Sequence, residues 1–121
     1  MASKKIPAGN KAAAWVRRYD IHLVTLDPTA GREVQKTRPC VVVSPDPMHG
    51  TGMAVVCPLT TSLHAQWAHR LQICCASQAA EVMVDQIRAV SLDRFVKKID
   101  VLSAKDAEAL RDIIALLYAT A

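Results

Sequence analysis

Three polar segments between apolar runs hold the side chains that could do chemistry in this chain. The first, residues 32–39, is locally positive and ends with Arg38 followed by Pro39. Pro39 restricts Arg38 to extended backbone, so the guanidinium leaves the chain from a rigid position, which suits phosphate recognition. Lys36 is a neighbouring cation, and Glu33 is the single acid of the segment. A solvated loop in which an arginine pairs with Glu33 would have the same composition.

The second segment follows an apolar run and holds three consecutive hydroxyl residues, Thr60, Thr61 and Ser62, with His64 close behind. Hydroxyl groups at this place can donate to an anion, or they can cap the free end of a strand. His64 titrates in the range that acid–base catalysis needs. A single histidine in a loop is nevertheless more often only exposed to solvent.

The third segment is Asp85-Gln86, an acid and an amide flanked by apolar residues. A bulge or turn whose side chains cap backbone groups would explain the pair. A general base and a base-reading amide would explain it equally well.

Taken together, the segments supply an arginine, hydroxyl donors and carboxylates. Cleavage of RNA by its own 2′-hydroxyl needs such a set, because a base must take the hydroxyl proton and donors must stabilise the crowded phosphate. The sequence does not say whether the three segments meet in space.

The elements that must position these residues are short strands followed by one helix. β-Branched and apolar runs lie at residues 21–26, 40–43, 53–57, 71–73, 81–84 and 87–90, with an ambiguous run at 95–102. Pro58 should close the third run, and residues 47–52 should form a turn. Ser103 and Asp106 predict a helix start, and apolar residues then recur at helical spacing, namely Ala107, Leu110, Ile114 and Leu117. We expect an α+β, mainly β fold: a bent antiparallel sheet or small barrel with a C-terminal helix.

Composition bounds the class of protein. The 121 residues, 51% hydrophobic and 21% charged, fit one domain. The net charge of +4 arises wholly in residues 1–19, which contain five basic residues and no acid. We therefore expect a basic N-terminal arm over residues 1–19 and a single domain over 20–121, and the arm could add salt-dependent affinity for a polyanion. The aromatic content of 4% argues against a platform that stacks a long single strand.

Four cysteines and four histidines lack the spacing of a zinc motif, so no metal or other cofactor is expected. Of the four thiols, Cys40, Cys57, Cys74 and Cys75, three lie in or beside apolar runs, as buried free thiols do. No run reaches the roughly 18 apolar residues of a membrane span, and the N-terminus does not read as a signal peptide. We expect a cytoplasmic protein without membrane contact.

With these residues in view, the chain resembles the MazF/PemK toxins of bacterial toxin–antitoxin systems, including their Kid branch. The resemblance covers residues 18 to about 118 and rests on the order of several short segments. They are Asp20-Ile-His-Leu-Val-Thr-Leu-Asp27-Pro28-Thr29, Gly31-x-Glu33, Arg38-Pro39-Cys-Val-Val-Val-Ser44-Pro45, Val55-Val-Cys-Pro58-Leu-Thr60-Thr61 and Asp85-Gln86.

The resemblance implies an SH3-like barrel that forms a homodimer, and a metal-independent, sequence-specific endoribonuclease. Such enzymes cut single-stranded RNA, often messenger RNA, leaving a 2′,3′-cyclic phosphate and a 5′-hydroxyl. The partner it implies is an antitoxin whose acidic, disordered tail competes with RNA, and DNA would be met only through that antitoxin. Family catalytic positions fall on Arg38, Thr60, Glu33 and Asp85. Around them, Lys36, Thr61, Ser62, His64 and Gln86 are the expected substrate-binding residues.

Some positions depart from the family pattern. Tyr19 stands where a glycine is usual and His22 where a tryptophan is usual, while Arg32 and Met83 replace a histidine and a catalytic arginine of the Kid branch. Because guanidinium holds its proton tightly, we expect Arg38 to stabilise phosphorane charge and Glu33 or Asp85 to be the base. Alternatives are a gyrase poison of the CcdB type, or a barrel that binds RNA or peptide without catalysis. The dimer should use the last helix and nearby strand edges, with Ile113, Leu117 and Tyr118 as candidates, although burial within one subunit would explain these residues equally well.

Overall fold

Strands form along this chain wherever apolar and β-branched residues are bounded by turn residues, and a computed structural model shows how they pair. It describes residues 15–26 and 36–120. Within these ranges there are seven strands and one α-helix. They are β1 (Asp20–Thr25), β2 (Thr37–Val42), β3 (Met53–Thr60), β4 (Arg70–Cys75), β5 (Gln78–Met83), β6 (Arg88–Ser91), β7 (Phe95–Val101) and α1 (Ala104–Tyr118).

All strand pairs are antiparallel, and the sheet curls into a half-barrel with the helix appended. The strand order is β4-β5-β3-β2-β1-β7, and β6 pairs with β3. The long strand β3 pairs with β2 through residues 56–58, with β6 through 53–56 and with β5 through 59–60. The expected mainly β fold, a small SH3-like barrel with a C-terminal helix, is confirmed.

Two local predictions about β3 and the turn before it were wrong. The strand does not close at Pro58 but continues to Thr60. Pro58 lies between the stretch paired with β6 and the stretch paired with β5, so its missing N–H falls where that edge of β3 changes partner. The expected simple turn before β3 is a 3₁₀ helix over Asp46–Thr51, and it ends at Gly52 with φ of 86°.

The two faces of the curled sheet are covered differently. One buried cluster lies between the sheet and α1, where Leu110 is fully buried against Leu59, Ile73 and Val82. The helix begins as expected, because the Ser103 hydroxyl accepts the Asp106 backbone N–H at 3.1 Å.

A second buried cluster lies on the other side and includes Val16, Val24, Val56 and Phe95. Val16 belongs to the expected basic arm, yet it is completely buried. Residues 15–19 are therefore packed against the domain, and Val16 is part of its core. The division into arm and domain otherwise stays a prediction, since residues 1–14 lie outside the described part of the chain.

Buried polar bonds hold this N-terminal segment in place. His49 Nδ1 lies 2.8 Å from the Val16 carbonyl oxygen, and His49 Nε2 lies 2.8 Å from the Ser44 hydroxyl. The same hydroxyl accepts the Val55 N–H at 2.9 Å. Outside this network, Asp46 accepts the Arg18 N–H at 2.6 Å and pairs with the Arg17 guanidinium at 3.0 Å.

Tyr19 adopts a left-handed backbone conformation, with φ of 72°. This conformation suits glycine, which the family usually has here, and is unfavourable for tyrosine. Two backbone hydrogen bonds hold it, from Tyr19 N–H to Val42 and from Leu102 N–H to Tyr19. The Tyr19 hydroxyl also accepts a bond from Arg111 on α1 at 3.2 Å. The contact with α1 therefore helps to hold a residue that lacks the backbone freedom of glycine at this position.

Several expected residues fall outside the described ranges. Glu33 and Arg32 are among them, as are Asp27-Pro28-Thr29 and Gly31 of the family pattern. Within the described residues, no helix combines the length and the apolar character that crossing a membrane requires.

Candidate active site

Arg38 and Thr60 lie at the same end of two neighbouring antiparallel strands. Cys40 on β2 pairs with Pro58 on β3, and Arg38 and Thr60 each lie two residues further toward that end. A cavity of about 410 Å³ opens between these strand ends and the β4–β5 hairpin. Its lining residues are Arg38, Pro39, Leu59, Thr60, Thr61, Ser62, Cys75, Ala76, Gln78, Ala80 and Ile99.

The backbone of Arg38 is fixed by its pairing with β1. Arg38 lies opposite Val24 of β1, and the following Pro39 lies opposite Leu23. The side chain is half-buried, and no described residue forms an ion pair or hydrogen bond with its guanidinium. A fixed cation at the wall of a cavity is suited to bind the oxygens of a phosphate.

The hydroxyl segment turns sharply after β3. Thr60 Oγ1 accepts the Ser62 N–H at 3.1 Å, so the predicted capping of the strand end is present. Accepting this bond leaves the hydroxyl proton of Thr60 available for donation. Capping and anion binding are therefore compatible here, and Thr61 and Ser62 bring two further exposed hydroxyls to the cavity.

A buried carboxylate lies directly behind this turn. Glu81 of β5 is opposite Thr60 and has no exposed surface. It accepts hydrogen bonds from Gln72 at 2.7 Å, from Arg70 at 3.3 Å and from the backbone N–H of His64. Burial alone would raise the pKa of Glu81, but these hydrogen bonds outweigh burial and lower it below its usual range. The carboxylate therefore stays ionised and holds the far end of the turn at the His64 N–H, while the strand pairing of Glu81 with Thr60 fixes the near end.

Asp85 is not brought to the cavity. It lies in a 3₁₀ turn over Val84–Gln86, where its Oδ1 accepts the Arg70 Nε at 3.1 Å and its Oδ2 lies 3.8 Å from His69 Nε2. Arg70 thus bridges Asp85 and the buried Glu81. The bonds of Asp85 are to side chains, which differs from the backbone capping that a turn predicts.

Some of the other expected binding residues line the cavity and some do not. Thr61 and Ser62 line the cavity, whereas Lys36, His64 and Gln86 do not. The His64 ring stacks on Trp67 at 3.9 Å between ring centroids. Glu33 lies outside the described residues. The catalytic and binding roles of all these residues stay predictions.

Sequence reasoning missed the network behind the site and the far wall of the cavity. Glu81 had a usable signal, since an acid inside the apolar run 79–84 must be paired when the run is buried. Gln78 had no such signal, because an exposed glutamine near a turn is ordinary. Only the pairing of β4 with β5 places it in the cavity wall.

The buried thiols of β2 and β3 do not have the character of nucleophiles. Burial raises the pKa of Cys40 and of Cys57 to about 12. In the described part of the chain, no group of three or more histidine, cysteine or acidic residues is placed to hold a metal ion.

A curated relative, Endoribonuclease MazF9 of Mycobacterium tuberculosis, is 30% identical over 116 residues, which cover 84% of this chain and 94% of the relative.

Solved structures share the fold at lower identity. A MazE–MazF structure from Deinococcus radiodurans superposes with a TM-score of 0.76 at 20% identity, covering 88% of this chain and 100% of that chain. An endoribonuclease bound to its cognate antitoxin, from a mycobacterial species, superposes with a TM-score of 0.68 at 16% identity, covering 83% and 91%.

A family model described as the PemK-like, MazF-like toxin of type II toxin–antitoxin systems matches residues 17–118. This range contains the whole curled sheet, both walls of the cavity and all of α1. The chain therefore belongs to the PemK-like, MazF-like toxin family of type II toxin–antitoxin systems.

Proposed function

We propose that this chain is an endoribonuclease toxin that cuts single-stranded RNA by attack of the substrate's own 2′-hydroxyl. The observation that carries the proposal is the convergence of Arg38 with the hydroxyls of Thr60, Thr61 and Ser62 on one cavity. The curated relative in the same family is named an endoribonuclease, which supports the same activity here.

In the proposed reaction, the 2′-oxygen forms a bond to phosphorus while its proton passes to a carboxylate. The bond from phosphorus to the 5′-oxygen then breaks and that oxygen takes up a proton from solvent water, which leaves a 2′,3′-cyclic phosphate and a 5′-hydroxyl. Arg38 binds the phosphate oxygens and stabilises the charge of the crowded intermediate. The Thr60 hydroxyl donates a hydrogen bond to the same oxygens. The reaction as drawn needs no metal ion.

We propose Glu33 as the base rather than Asp85. Asp85 is held by Arg70 and His69 outside the cavity. Glu33 precedes Arg38 by five residues on the segment that leads into β2. Glu33→Gln should slow RNA cleavage strongly, whereas Asp85→Asn should slow it little.

The decisive experiment is digestion of a long RNA by the pure protein in EDTA, with mapping of both new ends. We expect cuts at one short motif with cyclic phosphate and 5′-hydroxyl ends. Arg38→Ala should lower the rate by roughly a hundredfold or more, as loss of one donor to a developing oxyanion does. Arg111→Ala, which removes an exposed arginine outside the cavity, is the matched control and should keep wild-type rates.

Three outcomes would contradict the proposal. They are intact RNA, cuts that Arg38→Ala leaves unchanged, and cuts that require an added metal. Intact RNA together with stalled gyrase would identify a poison of the CcdB type instead.

We also propose that the chain acts as a homodimer in the cytoplasm and is restrained by an acidic antitoxin tail. Leu116 and Leu117 are exposed on the last turn of α1, and Leu116 is 68% exposed. The Tyr118 hydroxyl already has a partner within its own chain, because it donates a hydrogen bond to the Val84 carbonyl at 2.8 Å. A solved neighbour's complex with its cognate antitoxin supports a similar partner here. The unpaired thiols fit a reducing compartment.

A further inference from the structure

The two walls of the cavity differ in chemistry. One wall carries Arg38 and the hydroxyls of residues 60–62. The other consists of the small or apolar side chains of Cys75, Ala76, Ala80 and Ile99, with Gln78 as its single side-chain amide. A phosphate group needs only the first wall. A nucleobase, which has apolar faces and polar edges, needs a surface like the second.

The size of the cavity agrees with this reading. Its volume of about 410 Å³ falls within the range of roughly 300–1,000 Å³ that small-molecule sites occupy. Gln78 pairs with Cys75 across the hairpin and lies two residues from the buried Ala80, so its side chain is on the same face of β5 as the cavity. Gln78 is itself exposed at the edge of this wall, so its side chain can reach an incoming base.

We propose that Gln78 determines base specificity, by hydrogen bonding to the edge of the nucleobase next to the scissile phosphate. This inference rests on the proposed endoribonuclease function and deepens it. An amide both donates and accepts hydrogen bonds, so a glutamine can discriminate among bases by the pattern of donors and acceptors on their edges.

The backbone that carries Gln78 is held in an unfavourable conformation. Ala76 and Ser77, the two residues of the hairpin turn, have φ of 48° and 66°. Such a turn normally uses asparagine or glycine, because other residues are disfavoured in the left-handed region. A contact from elsewhere in the fold is therefore needed to keep this turn in place.

Asp100 of β7 supplies that contact. Its Oδ2 accepts the Ala76 N–H at 2.7 Å, and its Oδ1 accepts the Val101 N–H at 2.8 Å. The first of these bonds, and then the second, lower the pKa of Asp100, so the carboxylate remains ionised at neutral pH. Because β4 and β7 lie at the two ends of the strand order, the bond to Ala76 joins the ends of the curled sheet beside the cavity. Asp100 is thus a positioning residue for the wall that carries Gln78.

The test compares kcat/KM on short RNAs that differ only in the nucleotide on either side of the mapped cut. Wild type should prefer one base at one of these positions. Gln78→Ala should reduce that preference by about tenfold, as loss of one amide–base pair does. Gln78→Glu, which replaces the donor with a second acceptor, should change which base is preferred. Cys74→Ser is the control, because Cys74 is exposed on the opposite face of the same hairpin and should keep the wild-type preference.

The role of Asp100 is tested with the same substrates. Asp100→Ala should weaken the base preference, whereas Asp100→Asn, which keeps one acceptor oxygen, should restore part of it. A purely structural residue would lower the melting temperature in both variants and leave the preference unchanged. Circular dichroism confirms that each variant is folded before its rates are compared.

The outcomes separate this inference from the proposed function. Absence of RNA cleavage by wild type would refute the proposed function itself. Suppose that wild type cleaves, that Arg38→Ala slows cleavage strongly, and that folded Gln78 variants keep the full preference. The specificity role of Gln78 is then wrong while the function stands. A wild-type enzyme without any base preference beside the cut would refute the inference in the same way.

Discussion

Replacing His49 with phenylalanine should destabilise the fold by about 3 kcal/mol without affecting the site. His49 is fully buried and makes two side-chain hydrogen bonds of 2.8 Å, one to Ser44 and one to the Val16 carbonyl. Each bond contributes about 1 kcal/mol, and the buried Val16 carbonyl left without this partner adds about 1 kcal/mol or more. A phenyl ring fills a similar volume, so no large cavity term is expected.

Urea unfolding at constant protein concentration measures this loss. With a slope of about 1.5 kcal/mol per molar urea, the midpoint should fall by about 2 M. Concentration must be held fixed because dimerisation would stabilise the folded chain by mass action. The double variant with Ser44→Ala should be less destabilised than the sum of the two single variants, because both remove the same bond.

The rate of RNA cleavage gives the second readout. Ser44 lies six residues after Arg38, beyond the far end of β2, and an extended stretch of that length spans up to roughly 20 Å. Folded His49→Phe should therefore cleave at the wild-type rate. A midpoint unchanged from wild type would refute the assigned bonds, and a strongly slowed rate in fully folded protein would refute their separation from the site.

Other residues yield predictions of the same kind. In urea unfolding, Tyr19→Gly should be more stable than Tyr19→Ala by about 0.5–1 kcal/mol. Both variants lose the ring, but only alanine is strained by the left-handed backbone conformation. Equal stabilities would contradict that strain. Burial lowers the pKa of His22 below its ordinary value of 6.5. As pH falls through that value, the unfolded chain binds a proton that the folded chain does not. The free energy of unfolding should therefore decrease on acidification. In His22→Phe, the free energy of unfolding should depend less on pH between pH 7.5 and 5. A thiol reagent at pH 8 should modify the exposed Cys74 quickly and spare Cys40 and Cys57, whose pKa burial raises to about 12; rapid loss of all the thiols would mean that these strands open readily.

The strands were predictable because their apolar runs are short and clearly bounded, and the helix because Ser103 caps it. Pro58 was misread for a physical reason. A proline usually ends a ladder, but here the edge of β3 changes from β6 to β5 at that point. Partner exchange along one strand is a tertiary property that no local pattern encodes.

The site was predictable where a residue's own neighbours fix it, as Pro39 fixes Arg38. It was not predictable where strand register decides. The sequence offers Asp85 as a general base or as a cap of backbone groups, yet the pairing of β4 with β5 brings Arg70 within 3.1 Å of it. The same pairing buries Glu81 behind Thr60 and leaves Gln78 at the cavity.

The hairpin formed by β4 and β5 has a consequence for how such toxins diversify. It is one continuous stretch, residues 70–83, and supplies most of the far wall of the cavity, whereas the reactive wall comes from β2 and β3. Turn sequences in this stretch can therefore drift, lengthen or be exchanged between relatives while the reacting groups stay in place. Exchanging only the turn at Ala76 and Ser77, with Asp100 retained as its anchor and Glu81 and Arg70 kept behind Thr60, should therefore change the cutting preference while the reacting groups stay in place.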